Sequence, residues 1–181
     1  MSFRYEIRLS GEGGQGLVLA GKILAEAAAI YDNLNATQSQ SYGPEARGGA
    51  SRSEVILSDE DIDYPKAVHI DLLLALTQES CDRYAADLKS NGILLVDQDA
   101  VLTTPEGSFK VYRVPIIQMA RDRVGRALVA NIVALGLIAG IAKIVSEKAL
   151  RQAIEARVPK GTEELNLKAF AVGLEHAKTL V

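Results

Sequence analysis

The chain is poor in the residues that carry most redox, metal and nucleophilic chemistry. Of its 181 residues one is cysteine, Cys81, and two are histidine, His69 and His176. A single thiol cannot close an internal disulfide, and it cannot hold an iron–sulfur cluster or a Cys-rich zinc site. There is no H-E-x-x-H, paired-histidine or Cys/His spacing, so no metal site is expected and no residue is assigned a catalytic role. Serine is plentiful, but no G-x-S-x-G elbow frames one as a nucleophile. Long apolar runs are missing too. The longest, Ala127 to Ala142, is broken by Asn131 and flanked by Arg126 and Lys143, short of the ~20 apolar residues a membrane span needs. The opening MSFRYEIRLSGEGG has no apolar signal segment, which gives the expectation of a cytoplasmic protein. There is no basic excess either: 20 Lys and Arg against 23 Asp and Glu leave a net charge of −3, which argues against a general nucleic-acid binder.

What is present is the composition of an ordinary globular protein, 48% hydrophobic and 24% charged, which excludes wholesale disorder. The length suits one domain over residues 1–181, with no internal repeat, linker or low-complexity segment. Charge is unevenly spread: residues 1–100 are net acidic and residues 101–181 net basic. Such a dipolar chain fits a lone soluble domain, and equally a subunit whose two sides meet different partners or an anionic ligand.

Phe3, Tyr5, Ile7 and Leu9 alternate with Arg4, Glu6 and Arg8, the period of a strand. Gly11-Glu12-Gly13-Gly14-Gln15-Gly16 follows at once, and then an Ala- and Leu-rich helix from Leu17 to Tyr31. Strand, glycine turn and helix open an α/β fold. Further strands are predicted at about 34–38, at 53–58, at 70–76 (apolar enough to be buried on both faces) and at 93–96. A helix is predicted at 79–89, ended by Asn91-Gly92, and a hairpin across Val101 to Pro115 that makes the sheet mixed. Helices at 116–145, broken near Gly125, at 147–157 and at 162–179 complete the chain. Gly136 and Gly140 lie four apart and permit close helix approach, in the core or at a subunit contact.

Gly11, Gly13 and Gly16 form G-x-G-x-x-G between a strand and a helix, a context that places bare backbone N–H groups at a helix N-terminus and favours an anion such as phosphate. The bland reading is a tight turn without a ligand. A dinucleotide site also wants an acid at the end of the second strand. Asp32 comes before any second strand, and the strand end Gln38-Ser39-Gln40-Ser41 has no acid, so NAD is disfavoured. Gly14 and Gln15 add a bare backbone and an amide able to donate and accept. The second unusual segment, Ser41-Tyr42-Gly43-Pro44-Glu45-Ala46-Arg47-Gly48-Gly49, is a shaped loop that would present Tyr42, Glu45 and Arg47. Arg47 could hold a phosphate or carboxylate bidentately, or pair with Glu45 in an exposed turn. His69 reads as structural, His176 as a surface residue and Cys81 as a small buried side chain. Arg113, Arg121, Arg123 and Arg126 form either a solvated face or a docking patch.

GEGGQG opening a helix, then ATQSQSYGPEARGGAS with SRSEVILSD, then DYP and a strand ending LAL, and later ANIVALGLIAG, resembles the gamma subunits of 2-oxoacid:ferredoxin oxidoreductases. The resemblance covers essentially the whole chain and is strongest to gamma subunits of 2-oxoglutarate enzymes, with the pyruvate and branched-chain enzymes near relatives. It implies a three-layer α/β/α fold with a mixed, mostly parallel sheet and a Rossmann-like opening unit. It also implies an enzyme that decarboxylates a 2-oxoacid oxidatively and releases an acyl-CoA. Thiamine diphosphate, its magnesium and iron–sulfur clusters would sit on alpha, beta and possibly delta (ferredoxin-like) partner subunits, with ferredoxin reached through the complex. This chain would contribute to coenzyme A (CoA) binding through Gly11, Gly13, Gly14, Gln15 and Gly16, with Tyr42, Glu45 and Arg47 beside them. The competing expectation is a free-standing small α/β protein that binds a nucleotide or acyl-CoA.

Overall fold

A computed structural model of the protein describes residues 2–42 and 50–181. Six strands form one sheet in the order β2-β3-β1-β4-β5-β6, where β1 is Arg4–Glu12, β2 Asn35–Tyr42, β3 Ala50–Ser58, β4 Ile70–Ala75, β5 Leu88–Asp97 and β6 Lys110–Val114. The pairs β1–β4, β4–β5 and β5–β6 are parallel, while β3 runs antiparallel to both β1 and β2. The sheet is therefore mixed and mostly parallel, as expected, but β3 is what makes it so.

The predicted hairpin at 101–115 does not form. Only Lys110–Val114 is a strand, and it lies parallel to β5. The alternation around 109–114 was a true strand signal; the Pro105-Glu106-Gly107 turn was not a hairpin turn. Residues before β6 have another hydrogen-bond partner, the side-chain amide of Gln78. Its Oε1 accepts from the backbone of Leu102 and Thr103 (2.8 and 3.1 Å), and its Nε2 donates to Thr103 O at 2.8 Å. A segment served in this way needs no second strand.

The helices are α1 (Leu17–Glu26), α2 (Gln78–Tyr84), α3 (Ile116–Met119), α4 (Ala130–Ala142), α5 (Glu147–Arg157) and α6 (Glu163–Ala177). α2 is shorter than predicted, because β5 has already begun at Leu88. Asn91 and Gly92 lie inside an irregular stretch of β5, where the register slips between Ile70 and Leu72, rather than capping a helix. The carboxylate of Asp87, held by the Arg8 guanidinium at 2.6 Å, anchors the chain where it leaves the helix.

Strand periodicity sorts the core into two layers around the sheet. Leu72, Leu74 and Leu95 join Ile7, Leu9 and the residues of α1, α3, α4, α5 and α6 on one face. Leu73, Ala75, Leu94 and Val96 pack with Cys81, Tyr84 and Ala85 on the other, the side of α2. Three layers result, as expected. The charged positions of β1 are not a solvent face: Glu6 and Arg8 are buried. Arg8 binds Glu54 at 3.0 Å and the Ala67 carbonyl at 3.1 Å, and Glu6 accepts the backbone N–H of Val68 and His69 (3.3 and 3.1 Å). Buried charges persist only when paired and hydrogen-bonded in this way.

Helix α4 is buried along its length from Ala130 to Ala139. It packs backbone against backbone on α6. A Cβ on Gly136 would overlap the Phe170 carbonyl and stand 2.7 Å from the Leu174 nitrogen, and one on Gly173 would overlap the Val133 carbonyl. The close contact expected of Gly136 and Gly140 is thus made within the chain. No helix among the described residues is long and apolar enough to cross a membrane.

Gly136→Leu forces a branched side chain into the backbone of α6. Overpacking of this kind costs up to about 3 kcal/mol, which for a chain of this size lowers the melting temperature by ~6–12 °C. Circular dichroism of the isolated chain measures it; an unchanged melt would mean that α4 and α6 do not touch in solution.

Candidate functional site

Because β1, β4, β5 and β6 are parallel, their C-terminal ends share one edge of the sheet. After β1 the chain leaves towards β2 and β3 on one side; β4, on the other side of β1, starts the run to β5 and β6. Helices α1 and α2, which follow β1 and β4, pack on opposite faces of the sheet. The order of strands therefore reverses between β1 and β4, and open α/β sheets bind ligands in the crevice at such a switch point. The glycine turn is the segment that stands there.

The turn is closed from within. Gln15 Oε1 accepts the backbone N–H of Glu12 at 2.7 Å, and Gln15 N donates to Glu12 O at 3.3 Å. Gln15 Oε1 also occupies the place where a Cβ on Gly11 would sit. Gly14 (φ 88°) and Gly16 (φ 73°) are left-handed, a conformation only glycine adopts without strain. Gly13 is different. Its φ is not positive, and a Cβ there meets nothing within 4 Å among the described residues. It is exposed, as is Gly14.

Gly16 is the cap of α1, with no side-chain hydrogen bond from the cap itself. The first N–H groups of a helix have no intrahelical partner and carry the positive end of its dipole. The first turn of α1 holds no acidic residue, and neither does that of α4. The two starts meet: Asn131 of α4 donates from Nδ2 to the Gly16 carbonyl at 3.0 Å. Beside them is a cleft of about 270 Å³ lined by Gly14, Gln15, Leu76, Ile117, Leu128 and their neighbours. None of these lining groups is charged; the nearest charges in sequence are exposed Arg126, directly before Ala127, and exposed Glu12, two residues before Gly14. A larger hollow, about 550 Å³, lies at the far end of α4 around Gly140, Lys143, Ser146 and Lys178, and holds none of the candidate binding residues.

Below the turn, a chain of hydroxyls ties the edge together. Ser10 Oγ donates to the Ser51 carbonyl (2.9 Å) and lies 2.8 Å from Ser80 Oγ, which is 2.9 Å from Thr77 Oγ1. Thr77 caps α2 by accepting from Ser80 N. Asp97, buried at the end of β5, accepts the N–H groups of Asp99 and Ile117 and so fixes the start of α3.

The structure thus brings Gly11, Gly13, Gly14, Gln15 and Gly16 together at the switch point. Glu45 and Arg47 lie outside the described residues; Tyr42 ends β2, and its side chain is not among those described. Asp32, weighed as a ribose ligand, instead accepts from the Ser146 backbone and hydroxyl at 2.6 and 2.7 Å, tying the end of the first helical segment to α5. His69 is exposed and His176 half-buried. The four arginines do separate work: Arg113 holds the Val101 carbonyl at 2.6 Å, Arg123 faces Glu175, Arg121 its neighbour Asp122, and Arg126 is exposed. Asn131, Leu76 and Ile117 were not picked out as site residues. Asn131 did leave a signal, as the one polar residue in an otherwise apolar helix.

Residues 6–176 match the family described as pyruvate ferredoxin/flavodoxin oxidoreductase. The chain is 52% identical to the 2-oxoglutarate synthase subunit KorC of Methanocaldococcus jannaschii, over 99% of this chain and 97% of that one. Among solved structures it is similar to the gamma subunit of a keto/oxoacid ferredoxin oxidoreductase from Geobacter sulfurreducens PCA, with 55% identity, a TM-score of 0.91 and 98% of each chain covered. A 2-oxoglutarate:ferredoxin oxidoreductase from Magnetococcus marinus shares the fold at 23% identity and a TM-score of 0.86, over 98% of this chain but 32% of that longer one.

Two measurements on the isolated chain check this geometry. Gly14→Ala must hold φ 88° and loses roughly 1–2 kcal/mol, whereas Gly13→Ala melts at or up to about 4 °C above wild type; equal losses would refute the turn as described. Cys81 is fully buried, and burial together with neighbouring Asp82 raises its pKa, with Arg113 opposing. A raised pKa leaves less thiolate at neutral pH, so Cys81 resists iodoacetamide at pH 7 until the chain is unfolded. Rapid labelling of the native chain would show otherwise.

Proposed function

The chain belongs to the pyruvate ferredoxin/flavodoxin oxidoreductase family, and we propose that it is the gamma subunit of a 2-oxoglutarate:ferredoxin oxidoreductase, in which it forms one wall of the CoA site. The observation that carries this reading is its 52% identity to KorC over nearly the full length of both chains. In this reading residues 1–181 work as one domain of a cytoplasmic complex, beside alpha and beta subunits and a ferredoxin-like delta subunit.

The chain's own residues suit a binding wall and not a redox centre. Its single cysteine is buried. Among the described residues no group of three His, Cys, Asp or Glu could hold a metal ion. These residues do not fit an iron–sulfur cluster, so no electron step is routed through them. Thiamine diphosphate and the clusters are assigned to the partner subunits, where they supply decarboxylation and electron transfer.

What the chain offers is a neutral crevice floored by backbone. Phosphate groups of CoA would lie against the uncompensated start of α1, where dipole and free N–H groups both favour an anion. Exposed Gly13 and Gly14 allow a ligand to approach the main chain closely. The cleft alone, about 270 Å³, is below the ~300–1,000 Å³ that encloses a drug-sized ligand. That size supports a site completed by other chains.

Expressed alone, the chain binds no iron and reduces neither ferredoxin nor a dye with 2-oxoglutarate; turnover by the isolated chain would refute the accessory role. In the assembled complex Gly13→Val raises the apparent KM for CoA at least ~5-fold and leaves CO2 release without CoA within about twofold. Gly13 is the informative position because the described chain does not itself require glycine there. An unchanged KM in an intact complex would leave the glycine run as a strand–helix turn.

A further inference from the structure

Asn131 and Gly16 are 115 positions apart in sequence and in direct contact. Asn131 is 5% exposed, inside a helix whose other residues from Ala130 to Ala139 are apolar. Both ends of its amide are used: Nδ2 donates to the Gly16 carbonyl at 3.0 Å, and Oδ1 accepts the N–H of Ile132 at 2.9 Å. The Gly16 oxygen also accepts the Ala20 N–H at 3.0 Å, the first bond of α1. A Cβ on Gly16 would overlap Nδ2 and stand 3.0 Å from Cγ of Asn131. Left-handed Gly16 and the Asn131 amide are therefore mutually fitted.

We propose that Asn131 is a positioning residue for CoA capture: it clamps the carbonyl of the left-handed cap Gly16 and so sets the direction of the N–H groups that open α1 and of the Gly13–Gly14 backbone before them. This rests on the CoA reading above. The carbonyl of Gly16 and the N–H of Leu17 share one rigid peptide plane, so holding the oxygen aims the first free donor of the helix. A residue needed only to fill space would be apolar here, since burying an amide is unfavourable unless it is bonded at both ends. α1 has no capping side chain of its own, and Asn131 does not act as one: it donates to the Gly16 carbonyl and accepts none of the first N–H groups of α1.

The test uses the whole complex with Asn131→Asp and Asn131→Ala. Asp keeps the size and the acceptor for Ile132 but replaces the donor to Gly16 with a carboxylate oxygen. Calorimetric binding of CoA and steady-state kinetics are read together, with hydrogen exchange of residues 11–20. Expected are a Kd and KM for CoA raised at least ~5-fold in both variants, kcat at saturating CoA within about twofold, and faster exchange of the turn. Gly13→Val is run in parallel. If Gly13→Val raises the KM and neither Asn131 variant does, the positioning role is overturned and the CoA reading stands. If none of the three changes CoA binding, both are overturned. If kcat falls with CoA affinity unchanged, or if neither variant assembles into the complex, Asn131 is a folding residue and the proposal fails.

Discussion

The position of the site depends on two helices whose backbones touch. Gly136 of α4 and Gly173 of α6 each face a carbonyl of the other helix, of Phe170 and of Val133, at a distance no side chain could share. That approach presses α4 flat between the sheet and α6, burying it along its length. A helix held in this way has little freedom to slide or roll, and so its first turn arrives at a fixed place. That place is the C-terminal edge of β1, where Asn131 meets Gly16. The glycine turn is local in sequence, but its geometry is set by packing more than a hundred residues away.

A site assembled from main chain has particular properties. Its lining side chains are apolar or neutral: Leu76, Ile117, Leu128, Gln15. Attraction for an anion would come from the start of α1, strong only at short range and in a desolvated setting. Such a wall contributes little affinity while open to water and more when another surface closes over it. This is the physical content of a subunit that binds as part of a complex, and it fits the scarcity of titrating groups at the turn. Glu12 works the other way, because an exposed acid at the start of the turn disfavours anions that approach from that side.

Much of the fold was legible. Period-two alternation marked β1 and β6, continuous apolar runs marked β3 and the core of β4 and β5, and the helical stretches after residue 116 were read close to their observed limits. The errors share a cause. Residues 101–109 looked like half of a hairpin, but a glutamine side chain from α2 serves their backbone. Asn91-Gly92 looked like a helix cap and lies in an irregular strand. In each case a long-range hydrogen bond or ion pair replaced what local propensity implied, and no single window contains both partners. The site was half legible for the same reason: the glycine run stands out by composition, whereas Leu76, Ile117 and Asn131 reach it only through the topology of the sheet.

The glycines of the motif are not interchangeable. Gly11 makes room for the Gln15 amide that closes the turn, Gly14 has the backbone angle that turns the chain, and Gly16 combines such an angle with the space Asn131 needs. Three of the four are therefore explained by folding alone, and their presence says nothing about a ligand. Gly13 has an ordinary backbone angle, faces open space and is exposed. A side chain there would cost the described chain nothing and would lower the entropy lost on folding. Stability favours a larger residue at position 13, so it is Gly13, more than the motif as a whole, that points to a close approach from outside.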